Sequence, residues 1–246
     1  MNPAPHNPAA QDPDPGHPDP GHPDPRDPAP RQPDSRRVLI VRLLVLAALC
    51  AVGVAVLGAL FYLSDRFNDI DTRVTARILA EPGTTAESIA DVGADAANGV
   101  PLLTLMAVVV GLGLYWKRPA WLVAGIAIFF AANVTTQLMK LVLSHPRVQG
   151  ELGAPYPVLI GYPSGHTTAA FSVGVALWLA APPGRRTAAG AIGLAYGAMV
   201  GVGVVAAGWH FVSDVVGAVL VVGFWTALAM VALLWARPEP ARSRDS

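Results

Sequence analysis

Gly161-Tyr162-Pro163-Ser164-Gly165-His166-Thr167-Thr168 is the stretch whose reading decides the fold. Pro163 ends any helix before it, and Gly165 permits a tight turn. The apolar run from Ala169 to Ala181 then reads as a helix starting at or near His166. A helix start leaves backbone N–H groups unpaired and carries partial positive charge. Free amides from Ser164 and Gly165 beside an imidazole suit an anion that is to receive a proton. A Ser-Gly helix cap with an incidental histidine accounts for the same residues, and this stretch alone does not choose.

Outward from there the chain is apolar almost everywhere. Of 246 residues, 53% are hydrophobic and 14% charged, which is outside the range of an ordinary soluble domain. The reading is an all-α polytopic membrane protein with six transmembrane helices. The spans are Val38–Leu63, Val100–Trp116, Trp121–Leu143, His166–Ala181, Ala188–Ala207 and Val215–Trp235. Residues 1–36 form a Pro/Asp/His-rich tail with no apolar face to bury, read as disordered and cytoplasmic. Residues 37–237 form the membrane domain and 238–246 a second cytoplasmic tail. Within the polar 64–99 loop, Ile70, Val74 and Ile78 recur at helical spacing, which predicts an amphipathic surface helix.

Charge sets the orientation. Arg36-Arg37, Lys117-Arg118, Arg185-Arg186 and Arg237 fall on one side of the six spans, the cytoplasmic side by the positive-inside rule. The 64–99 loop, the 144–165 loop and the turn at His210 then face outward. A net charge of zero gives no reason to expect nucleic acid as a partner, and the single cysteine, Cys50, excludes a disulfide framework.

Three stretches converge on the outer side. Asn133, Gln137, Lys140 and Ser144 share one face of the third span, with Arg147 close behind. Asn133 and Gln137 fit interhelical hydrogen bonding as well as a wet cavity. The second stretch is the one around His166. In the third, Asp214 follows His210 by four residues, so one helical turn would put carboxylate and imidazole on one face. An aromatic belt with Trp209 and Phe211 is the plainer account of His210, but it leaves Asp214 unexplained. Two cations, helix-end amides and two histidines suit phosphoryl transfer, with one imidazole attacking and the other protonating the leaving oxygen.

With these residues in hand, the sequence resembles the type 2 phosphatidic acid phosphatase family, the lipid phosphate phosphatases related to vanadium haloperoxidases. That family shows Lys-x6-Arg-Pro, Pro-Ser-Gly-His and Ser-Arg-x5-His-x3-Asp. Here Pro163-Ser164-Gly165-His166 and His210-x3-Asp214 are intact, and Lys140 and Arg147 keep the first spacing. The resemblance implies a phosphohistidine on His210, Asp214 orienting it, and His166 as general acid and then base. It implies that Lys140, Arg147 and the Ser164–Gly165 backbone bind phosphate, with no metal and no cofactor. Two departures stand out. Val148 follows Arg147, with the proline before it, so His145-Pro146 competes for the Arg-Pro place. Gly203-Val204 replaces the Ser-Arg pair, leaving the second arginine absent.

The expected function is an integral membrane lipid phosphatase working at the extracytoplasmic face. The partners are membrane lipids and a lipid phosphate substrate: polyprenyl diphosphate, phosphatidate or phosphatidylglycerol phosphate. With only Lys117 and Lys140 among its lysines, the arginine-rich composition leans toward a bacterial, polyprenyl-type substrate. Transfer to an acceptor alcohol, and a catalytically weakened lipid-phosphate binder, are the alternatives.

Overall fold

The computed structural model describes residues 35–143 and 161–236. His145, Arg147, residues 1–34 and residues 237–246 lie outside the described residues. What is described is helical: α1 Ser35–Leu63, α2 Asp65–Ala76, α3 Thr85–Asp95, α4 Gly99–Tyr115, α5 Pro119–Leu143, α6 Gly165–Ala180, α7 Arg186–Ala206 and α8 Val212–Trp235. A 3-10 turn at Pro183–Arg185 leads into α7. Helices lie within a few residues of the boundaries expected for each span. Arg36, expected in the tail, already belongs to α1.

Among the described residues, four helices are long and apolar enough to cross a membrane: α1, α5, α7 with its 3-10 turn, and α8. A fifth span results if α3 and α4, bent by 54° at their junction, count as one. The expected fourth span, α6, has only 16 residues and falls short by length. It is nevertheless the centre of the bundle, packed by α4, α5, α7 and α8. Its small residues allow this. A Cβ added at Gly174 would stand 2.7 Å from the Gly193 carbonyl oxygen of α7, so the two backbones touch. In a lipid environment such close approach supplies the dispersion contact that drives helix association.

Polar groups on α5 face α6, as their spacing predicts. The Asn133 side-chain amide donates to the Phe129 carbonyl at 2.8 Å and lies 3.4 Å from Ser172 Oγ. Thr136 and Thr168 hydroxyls meet at 3.0 Å. Asn133 thus bonds chiefly within α5, with a longer contact across to α6.

The polar loop is helical over Ile70 and Val74, where its periodicity predicts a helix. It contains two helices, and in α2 the face turned inward carries Asp71 and Thr75, which are buried. Ile70, Val74 and Ile78 are exposed instead. The reason is that α2 lies against the start of α8, whose unpaired amides need oxygen acceptors more than apolar cover.

Arg36, Arg118 and Arg186 gather where α6 and α8 end, remote from His166 at the start of α6. Arg36 Nη2 donates to the Leu234 carbonyl at 2.6 Å, joining the start of α1 to the end of α8. Arg118 Nη1 donates to the Ala181 carbonyl at 2.5 Å, and Arg186 stacks 4.4 Å over Trp121.

Candidate functional site

The site is built on the entry to α8. The first N–H groups of that helix have no intrahelical acceptor, and α2 supplies two. Thr75 Oγ1 accepts from Val212 N–H at 3.2 Å. Asp71 accepts twice from Ser213, from the backbone N–H at 3.1 Å and from the hydroxyl at 2.5 Å. Asp214 then closes the turn, its Oδ2 accepting from Phe211 N–H at 3.1 Å. A negative charge buried beside a helix N-terminus is favourable in itself.

The same Asp214 Oδ2 lies 3.2 Å from His210 Nδ1. The pair expected from sequence is present, but not as one turn of helix: α8 begins at Val212, and His210 precedes it. Gly208, at φ +73°, turns the chain back after α7. Trp209 and His210 N–H groups both donate to the Val204 carbonyl, at 2.8 and 3.0 Å. His210 is thus fixed by a loop and a capping carboxylate rather than by helical periodicity. A carboxylate can only accept, so Nδ1 carries a proton, and in the neutral ring the lone pair is on Nε2. Both residues are buried.

The Pro-Ser-Gly-His loop docks onto this entry. Ser164 N–H donates to the Asp214 carbonyl at 3.0 Å. Ser164 Oγ caps α6 by accepting from Thr167 N–H at 3.4 Å, and its carbonyl accepts from the Thr168 hydroxyl at 2.8 Å. Ser164 is fully buried. Its amide is therefore engaged with α8, which corrects the expectation of a free amide there. Gly165 and His166 N–H remain without a partner among the described residues. Tyr162 anchors the loop to α1 by donating its hydroxyl to the Val54 carbonyl at 3.0 Å. Burial, reinforced by the Asp214 charge, holds that phenol above its ordinary range, so it stays a neutral donor.

Lys140 ends at the same place. A Cβ built on Gly165 would stand 3.2 Å from Lys140 Nζ and 3.5 Å from Gln137 Nε2. Its stem passes so near Gly161 that a Cβ there would fall 2.7 Å from Lys140 Cγ. Glycines at 161 and 165 thus let the ammonium reach the start of α6, and the Asp214 charge acts on it.

His166, in the first turn of α6, has its ring 5.4 Å from that of Trp209, the residue next to His210. The charges that act on it are those of His210, Lys140 and Asp95. Its Nε2 lies 2.9 Å from Asn98 Oδ1, and Asn98 Nδ2 donates to Asp95 Oδ1 at 2.7 Å. The structure therefore brings together Lys140, Gly165, His166, His210 and Asp214, with Ser164 as the clasp beneath them.

Asn98, Asp95, Asp71 and Thr75 escaped the sequence reading. Nothing marks Asn98 as more than a cap residue before α4, and Asp71 reads as one of many loop carboxylates. Only helical spacing from Asp71 to Thr75 hinted at a shared polar face.

At the position of the absent arginine, Val204 is fully buried among Ala94, Ala97, Ala170 and Val200. Beside it, a Cβ on Gly203 would stand 2.7 Å from Ala94 N, so α3 fills the space that a Ser-Arg pair would need.

The chain matches the family model of the PAP2 superfamily over residues 103–239. Neither the curated proteins nor the solved structures compared with the chain gave a match.

Proposed function

The chain belongs to the PAP2 superfamily, whose members are generally phosphatases, and from that premise we propose that it is a membrane lipid phosphatase acting through a phosphohistidine. The observation that carries the proposal is the Asp214–His210 contact of 3.2 Å, which holds a proton on Nδ1 and so, in the neutral ring, turns the lone pair to Nε2. Nε2 attacks phosphorus, the P–N bond forms, and the bond to the leaving oxygen breaks as His166 gives that oxygen a proton. Water then attacks the phosphohistidine while His166 takes its proton, releasing phosphate and restoring both imidazoles. Lys140 and the Gly165 and His166 amides hold the phosphoryl oxygens. Arg147 or His145 would complete the cation set. No metal enters this scheme.

We take α6 as a sixth, short span, supported by its place at the centre of the bundle. With Arg36, Arg118 and Arg186 at the far end, the positive-inside rule supports cytoplasmic termini and an extracytoplasmic site. The substrate is a lipid phosphate or diphosphate, with polyprenyl diphosphate favoured. The test is phosphate release by purified protein from short-chain lipid phosphates in EDTA. Wild type should turn over and His210→Ala should not; equal release by both would overturn the mechanism. If a phosphorylated alcohol replaced free phosphate, the protein would be a transferase.

A further inference from the structure

The two imidazoles are held by different devices, and the second lies outside the matched family segment. His210 has a carboxylate directly on Nδ1. His166 has a neutral amide on Nε2, at 2.9 Å. That amide can be oriented from its own partners: Asn98 Nδ2 must donate to Asp95 Oδ1 at 2.7 Å, because a carboxylate accepts only. Oδ1 is therefore the atom turned to His166, and a carbonyl oxygen facing a ring nitrogen requires Nε2–H there. Both Asp95 and Asn98 sit at the 54° break between α3 and α4, ahead of residue 103 where the family match begins. The break is itself pinned, because Tyr196 of α7 donates its hydroxyl to the Ala96 carbonyl at 2.8 Å.

We propose that Asn98, oriented by Asp95, is a positioning residue that holds His166 as its Nε2–H form and leaves Nδ1 to carry the transferred proton. This rests on the proposed phosphatase reading for its kinetic consequence but not for its geometry. Nε2–H stays bonded to Asn98 throughout. Nδ1–H goes to the leaving oxygen, and the emptied Nδ1 lone pair later accepts the proton of water. The choice of amide over carboxylate has a chemical sense. A carboxylate at position 98 would favour the charged imidazolium and slow its release of the proton, whereas an amide fixes the tautomer without adding charge. The other groups facing the ring are Trp209 and His210 from the loop before α8, Lys140 from α5 and Asp95 from α3.

The experiment compares Asn98→Leu and Asn98→Asp with wild type in two independent readouts. Nitrogen NMR of the full-length protein, labelled at histidine, should show the neutral His166 ring as Nε2–H in wild type and as a tautomer mixture in Asn98→Leu. An Nδ1–H ring in wild type overturns the proposal whether or not the protein releases phosphate. In kinetics, Asn98→Leu should lower kcat roughly tenfold, the lower end for partners that orient a functional histidine, with KM little changed. Asn98→Asp keeps an acceptor for Nε2–H and so should hold the tautomer, with kcat above that of Asn98→Leu but below wild type because the proton is released more slowly. It should also move the alkaline limb of the kcat/KM profile up by about one pH unit, because the acid now sits beside a negative charge. Wild-type kcat and an unshifted profile in both variants would overturn the inference. His166→Ala, run alongside, shows whether proton transfer by that residue matters at all, which separates failure of this inference from failure of the phosphatase reading.

Discussion

Replacing Asp214 by asparagine removes one charge and two lone pairs from a side chain that is 1% exposed. The same Oδ2 receives Phe211 N–H at 3.1 Å and faces His210 Nδ1 at 3.2 Å. An asparagine that keeps its oxygen toward Phe211 offers the imidazole a less basic acceptor. One that turns its NH2 group there needs an unprotonated Nδ1, which moves the proton to Nε2 and removes the attacking lone pair. Where a carboxylate behind a catalytic imidazole is changed to an amide, the loss is roughly 10⁴ in kcat, or about 5.4 kcal/mol of transition-state stabilisation. Folding should suffer much less, about 1–2 kcal/mol, because a polar side chain of the same shape still caps α8. The assay is phosphate release from a short-chain lipid phosphate, with thermal unfolding in the same detergent to confirm that the variant is folded. Radiolabelled phosphate should trap on the wild-type protein after an alkaline denaturing quench, which spares the acid-labile P–N bond, and not on Asp214→Asn. A folded variant within threefold of wild type would refute the reasoning, because His210 would then need no tautomer control.

Two more outcomes follow from neighbouring contacts. Asp71→Ala removes two bonds from buried Ser213, those of its N–H and its hydroxyl to a charged acceptor. It should cost roughly 3 kcal/mol and lower the unfolding temperature, measured by thermal scan, by about 6 °C or more. Val204→Arg, which restores the family's residue, should not restore binding. It places a guanidinium in a closed apolar cluster at a cost of at least about 3 kcal/mol, and a gain in phosphate release would show that the side chain reaches the site after all.

The apolar runs alone determined where the long helices lie, because a helix buried in lipid must be apolar nearly all round and that composition is legible without neighbours. They also determined that Lys140, His166 and His210 lie at one end of the bundle, since alternate span ends share a side. Spacing did not determine how any of these groups is held. His210 and Asp214 meet through a cap and a left-handed glycine turn, although their four-residue separation read as helix. The inward face of α2 is polar because the amides of another helix, 137 residues or more away in sequence, need acceptors there. Asn98 touches His166 only because α3 and α4 bend where they do, and Val204 is closed off only because α3 packs over it. Contacts of this kind depend on which surfaces meet, and periodicity within a single helix carries no record of its neighbour's polar groups.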